Sequence, residues 1–146
     1  KKLTIFLFSL VISINSYSGV FSEKNNCFET DGQNIVFLPN ETNPYTGIYL
    51  CKFDNDQKER EGSYKNGKFD GKWTVWYENG QKESEVNYKD EKLHGRWTQW
   101  YENGQKEQEL NYKDGMEHGI RTQWDENGKI ELEATFKDGK CISGDC

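Results

Sequence analysis

The chain has 146 residues, 33% hydrophobic and 30% charged, with a net charge of −6 and an isoelectric point near 5.0. That length fits a single domain, and the acidic balance argues against nucleic acid or an anionic membrane surface as partner, since phosphates demand an excess of Lys and Arg. High charge with few aliphatic residues would suggest disorder, but five Trp and eight Tyr at regular spacing do not fit a disordered chain.

Lys1-Lys2 precede an apolar run, Leu3 to Ile14, and then Ser16-Tyr17-Ser18. This order of charge, apolar stretch and small residues predicts a signal peptide over 1–18, with cleavage after Ser18 and Ser22 as the second choice. The run is too short to span a bilayer, so no stable membrane anchor is expected once it is removed. Cys27 lacks the Leu-small-small triplet that precedes a lipidated cysteine. The expected location is exported, periplasmic or extracellular. Lys1 and Lys2 leave with the signal, so 17 of the 19 basic residues then face 25 acidic ones, a net charge of −8.

Residues 19–44 are expected to form an N-terminal cap segment, 45–140 a repeat array, and 141–146 a tail closed by a disulfide. Four cysteines in an exported chain read as disulfides, with three pairings open. Cys27–Cys51 and Cys141–Cys146 are favoured because an extended array keeps its two ends apart. The alternative, a four-cysteine zinc site, lacks the short paired spacing such sites use.

From about residue 45 the chain repeats with a step of 24. Trp76-Tyr77-Glu78-Asn79-Gly80-Gln81-Lys82-Glu83 returns unchanged at Trp100 and in altered form at Trp124, while Phe53 to Glu59 is a degenerate earlier copy. Tyr64, Tyr88, Tyr112 and Phe136 keep the step, as do Gly47, Gly71, Gly95 and Gly119. A fixed period in this range means stacked copies of one supersecondary unit. Two β-prone runs flank Asn79-Gly80, a strong hairpin signal because a type I′ turn needs positive φ at both central residues. A second turn recurs at Lys65-Asn66-Gly67-Lys68 and its copies; Glu91 stands where the others carry Gly, and a strained turn is expected there. Helix is disfavoured, because Gly or Asn-Gly recurs too often and no apolar stripe of 3.6-residue period persists. The expected fold is all-β: an elongated antiparallel meander of stacked hairpins forming a single-layer twisted sheet.

A two-residue turn at Asn79-Gly80 sets Trp76 opposite Glu83, Val75 opposite Ser84, Thr74 opposite Glu85 and Trp73 opposite Val86. Side chains alternate between faces, so Trp73, Val75, Tyr77, Ser84, Val86 and Tyr88 are expected on the packed face. Thr74, Trp76, Glu83, Glu85 and Asn87 take the other. Trp76, Trp100 and Trp124 then line up about 10 Å apart, two strand spacings, with Glu83 and Glu107 beside them. The column reads either as structural shielding of the sheet or as a stacking platform for a sugar ring, a peptide or a quaternary ammonium.

No catalytic constellation stands out. His94 and His118, one repeat apart, read as polar turn residues rather than a metal pair. The glutamate pairs Glu83/Glu85, Glu107/Glu109 and Glu131/Glu133 recur three times, as a catalytic dyad has no reason to do. Asp54-Asn55-Asp56 lacks the remaining ligands of a calcium loop. No cofactor, metal or enzymatic activity is expected.

Pro44-Tyr45-Thr46-Gly47, Tyr64 to Trp73 and Trp76 to Lys82 resemble the variant MORN repeat, found in bacterial proteins commonly labelled toxin–antitoxin system YwqK family antitoxins. The resemblance covers roughly residues 44–140. It implies a meander of stacked hairpins with no catalytic residues to carry over, its motif positions, such as Tyr64, Gly67, Gly71 and Trp73, being structural. The third full repeat departs from it at Arg121 and Asp125, which reads as decay toward a C-terminal cap. The expected function is a non-catalytic surface for binding another protein. Glycan or cell-wall binding through the Trp column is the alternative, as is immunity-type neutralisation of a toxin in the envelope.

Overall fold

The computed structural model describes residues 21–22, 27–28, 36 and 41–146. The expected signal segment lies outside them, as does most of the expected cap. Strands β1 (Phe21–Ser22) and β2 (Cys27–Phe28) pair with each other. The array follows as β3 (Gly47–Lys52), β4 (Lys58–Lys65), β5 (Lys68–Trp76), β6 (Lys82–Lys89), β7 (Lys92–Leu93), β8 (Gly95–Trp100) and β9 (Lys106–Lys113). It continues through β10 (Met116–Glu117), β11 (Gly119–Trp124), β12 (Ile130–Lys137) and β13 (Lys140–Gly144). These last eleven strands make one open antiparallel sheet in meander order, with β7 joined to β6 and β10 to β9. No helix occurs among the described residues. The all-β, single-sheet meander expected from the 24-residue period is the fold.

The two kinds of turn exchange the roles assigned to them from sequence. Type I′ geometry sits at Asn66-Gly67 (φ 52° and 75°), Asp114-Gly115 (52° and 86°) and Asp138-Gly139 (49° and 78°). Asp90-Glu91 adopts it too, at 48° and 66°, so Glu91 occupies a left-handed slot that its sister turns give to glycine. At Asn79-Gly80 only Gly80 has positive φ. Gly80 N–H donates to the Tyr77 carbonyl and Tyr77 N–H donates to the Gln81 carbonyl, both at 2.9 Å, which closes a three-residue loop.

Asn79 fits this loop through its side chain. Its Oδ1 accepts from Gln81 N–H at 2.9 Å, and its Nδ2 donates to the Glu102 carbonyl of the next unit at 2.9 Å. Asn103 repeats both bonds, to Gln105 and Glu126.

The longer loop corrects the register near the turn. Trp73–Val86, Thr74–Glu85 and Val75–Ser84 face each other as expected, but Trp76 faces Lys82 instead of Glu83, with a bulge between the two pairs. Glu83 is the extra residue of that bulge. Trp100 likewise faces Lys106.

The core lies on one face at the N-terminal end of the array. Val36, Tyr49, Cys51, Tyr64 and Trp73 are buried, with Tyr45, Phe69, Val86 and Tyr88 packed against them. The rings are close: Phe69 meets Trp73 edge-on at 4.6 Å between centroids and stacks on Tyr88 at 4.9 Å. Trp73, Val86 and Tyr88 join this core as expected, whereas Val75, Tyr77 and Ser84 are half-buried outside it. Leu110 and Ala134 carry buried apolar positions into the later units.

The third unit departs from the repeat in a compensated way. Arg121 stands where the first two carry Trp73 and Trp97, and Glu117 where they carry Phe69 and Leu93. The two form a hydrogen-bonded ion pair, and the guanidinium sits 4.7 Å from the Phe136 ring centroid. An apolar pair four residues apart has thus become a charged pair in the same place, with the planar guanidinium covering an aromatic ring much as the indole does. Asp125, in the position of Tyr77 and Tyr101, turns its carboxylate onto its own loop, accepting from Asn127 N–H at 2.9 Å and Lys129 N–H at 2.8 Å.

A candidate binding face

The face opposite the core carries three cross-strand ladders. Registers place Trp76, Lys82, Trp100, Lys106, Trp124 and Ile130 in one, and Thr74, Glu85, Thr98, Glu109, Thr122 and Glu133 in the next. The third holds Lys72, Asn87, Arg96, Asn111, Ile120 and Thr135. Ladders form because successive units repeat the same strands, loop and bulge, so each residue type returns to the same face.

The three tryptophans are half-buried, and each lies beneath the ammonium of a lysine. Lys58 sits 5.4 Å from the Trp76 centroid, Lys82 5.6 Å from Trp100 and Lys106 5.7 Å from Trp124. Each of these lysines comes from the neighbouring strand of the preceding hairpin, while within the hairpin the bulge puts Lys82, not Glu83, opposite Trp76. Glu83 and Glu107 act instead on Tyr77, whose phenol is raised above its ordinary pKa first by burial and then by these carboxylates and Glu102. The lysines were missed from sequence, although each stands 18 residues before the tryptophan it covers, a spacing that was there to be read.

Two of the carboxylates in the middle ladder each serve two cations. Glu85 accepts from Lys82 at 2.6 Å and Lys72 at 2.8 Å, while Glu109 pairs with Lys106 at 2.6 Å and lies 4.0 Å from Arg96. Burial alone would raise the Glu85 pKa, but hydrogen bonds from Lys72 and Lys82 outweigh it and hold the carboxyl below its usual range. Thr74 and Thr98, in the same ladder, are buried.

At the N-terminal end of this face a groove of about 410 Å³ runs over β4, lined by Ile48, Lys72, Thr74, Trp76, Lys82 and Glu61 among others. Its floor is Gly62 and Ser63. In the next two units the longer side chains of Asn87 and Asn111 stand where Ser63 does.

The histidines lie at the other edge. His94 Nδ1 is 3.7 Å from Asp114 Oδ1 and His118 Nδ1 is 3.4 Å from Asp138 Oδ1, each reaching the I′ turn of the following unit. Among the described residues no group of three or more His, Cys, Asp or Glu is placed to hold a metal. Cys141 and Cys146 form a disulfide. Cys51 is disulfide-bonded as well; the side chain of Cys27, its expected partner, lies outside the described residues.

An open array of antiparallel hairpins with a ladder-patterned face is the architecture of a β-repeat protein. Three of its units match the profile described as MORN repeat variant, at residues 69–90, 93–114 and 117–138. Each match opens two residues after the paired positive-φ residues of an I′ turn. No curated protein and no solved structure gives a significant match. The matched profile describes a repeat, not an antitoxin activity.

Proposed function

We propose that the chain is an exported, non-catalytic scaffold that presents its ladder face to another protein. MORN repeats commonly act as protein- or membrane-binding modules rather than enzymes, which supports the coarse reading. The observation that carries the finer one is the row of three half-buried tryptophans, each fixed beneath a lysine on a regular sheet. Aromatic rings already held in place lose little freedom on binding, and such rings dominate the energetics of interfaces.

The test is capture from an envelope extract with the mature chain and with a Trp76→Ala, Trp100→Ala, Trp124→Ala variant whose circular dichroism is unchanged. A defined partner retained by the first and lost by the second is expected. Equal capture by both removes the face from the interaction, and no capture above control removes the reading.

The same rings support glycan or cell-wall binding as the alternative. Retention on peptidoglycan or choline resin that the triple variant loses would favour it. Neutralisation of an envelope toxin is a further form of protein binding, tested by co-expression with the products of neighbouring genes: only relief of their toxicity supports it.

A further inference from the structure

The groove over β4 differs from the rest of the ladder face in three ways that together point to a ligand. Its floor is small, because Ser63 lies where the next two units carry Asn87 and Asn111. Its walls combine the Trp76 indole with Ile48, which is 73% exposed. Its charge is also opposite in sign to that of the chain. Lys58, Lys72 and Lys82 bring three ammonium groups, while Glu61 and Glu85, which bond to them, bring two carboxylates. One positive charge is left over at the groove, on a protein whose net charge is −6.

We propose that this groove is a subsite for one uronic-acid-type sugar ring, its carboxylate received by Lys72 and Lys82 and its C–H face taking the place of the Lys58 ammonium against Trp76. The proposal rests on the reading of the ladder face as a binding surface and names a ligand for one part of it. The volume suits a single small ring with its substituents. Lys72 and Lys82 share one carboxylate, so each retains donor capacity for a second. A neutral sugar leaves the surplus charge unmatched. An acidic peptide side chain matches the charge but brings no ring to fill the trough beside Trp76.

The experiment is a titration of the isotopically labelled full chain, followed at the Trp indole N–H signals. The probes are D-galacturonate, tri-galacturonate, D-galactose and N-acetylglutamate amide. Galacturonate should shift the Trp76 signal, galactose and N-acetylglutamate amide should not, and a Lys72→Gln, Lys82→Gln variant should bind at least about tenfold more weakly, as expected for losing charge-assisted hydrogen bonds. Both lysines are surface residues, so that variant should keep its fold, and Lys137→Gln, an exposed lysine at the far end of the array, should leave galacturonate binding unchanged. Tighter binding of the trimer than the monomer identifies an acidic polysaccharide as the source, and weaker binding identifies a free sugar acid. Equal response to galactose or N-acetylglutamate amide, unchanged affinity in the lysine variant, or no shift with any probe overturns the proposal. Failure here with protein capture intact leaves the scaffold reading standing; the reverse outcome removes the scaffold reading alone.

Discussion

The Tyr77 hydroxyl donates to the backbone carbonyl of Trp100, one unit further on, at 2.7 Å. Tyr101 does the same to Trp124 at 2.8 Å. With the Asn79 and Asn103 bonds to Glu102 and Glu126, these contacts tie each loop to the next. Stability in such an array is carried by the interactions between neighbouring units.

Removing one of these hydroxyls should therefore weaken the joint between two units. Tyr77→Phe and Tyr101→Phe should each cost roughly 1 kcal/mol, the net worth of one part-buried hydrogen bond. Asp125→Tyr should bring no gain, because it gives up two loop bonds and Trp124 is the last tryptophan of the series. Urea midpoints of the three variants provide the comparison, and a Tyr101→Phe midpoint equal to that of the wild type would contradict it.

Glu91 holds a φ of 66°, and its carboxylate reaches back 2.6 Å to Lys68 in the preceding unit. A left-handed non-glycine residue costs roughly 1–2 kcal/mol, more than an exposed ion pair returns, which is about 0–1 kcal/mol. Glu91→Gly should thus raise stability by roughly 0.5–1 kcal/mol. Lys68→Ala should then be nearly silent in the glycine background. A drop in thermal midpoint for Glu91→Gly would mean that the ion pair outweighs the backbone strain.

Glu117 and Arg121 should behave as one unit. Either single change, Glu117→Phe or Arg121→Trp, strands the other charge on a half-buried surface and should cost roughly 1–3 kcal/mol. The double change restores the Phe–Trp pair of the first unit and should recover most of that loss, a coupling on the order of 1 kcal/mol or more. Additive losses in the double-mutant cycle would mean that the two positions are independent.

Glu85 gives the fold a dependence on acid. Its folded pKa lies below the unfolded value, so its contribution is fully present above the unfolded carboxylate range and is lost as pH falls through the folded value. Wild type should exceed Glu85→Gln in urea midpoint near neutrality, and the gap should close in the acid range below a pH of about 4. A gap that persists in strong acid would assign the effect to something other than ionisation.

The period alone made most of the fold legible, because even spacing fixes both the strand count and the face on which each residue type recurs. The register held from Trp73 to Val75 and failed at Trp76. Asn-Gly suits a two-residue turn as well as the last two places of a three-residue loop, and the latter recurs at Asn103-Gly104 and Asn127-Gly128, so the dipeptide alone does not choose between them. One residue of loop length set Lys82 and Lys106, in place of Glu83 and Glu107, opposite Trp76 and Trp100. Arg121 was hard to read for a related reason: its partner Glu117 looks unremarkable until Phe69 and Trp73 are seen in contact.

Among the described residues, the Tyr and Asn bonds that tie one loop to the next run as far as Trp124 and Glu126. The sheet consequently has a firm end, clamped by the aromatic core around Trp73, and a loose one at β12 and β13. Under tension between its ends it should peel from the loose side, shedding the last hairpin first, so that a load is yielded in steps the length of one unit instead of in a single break.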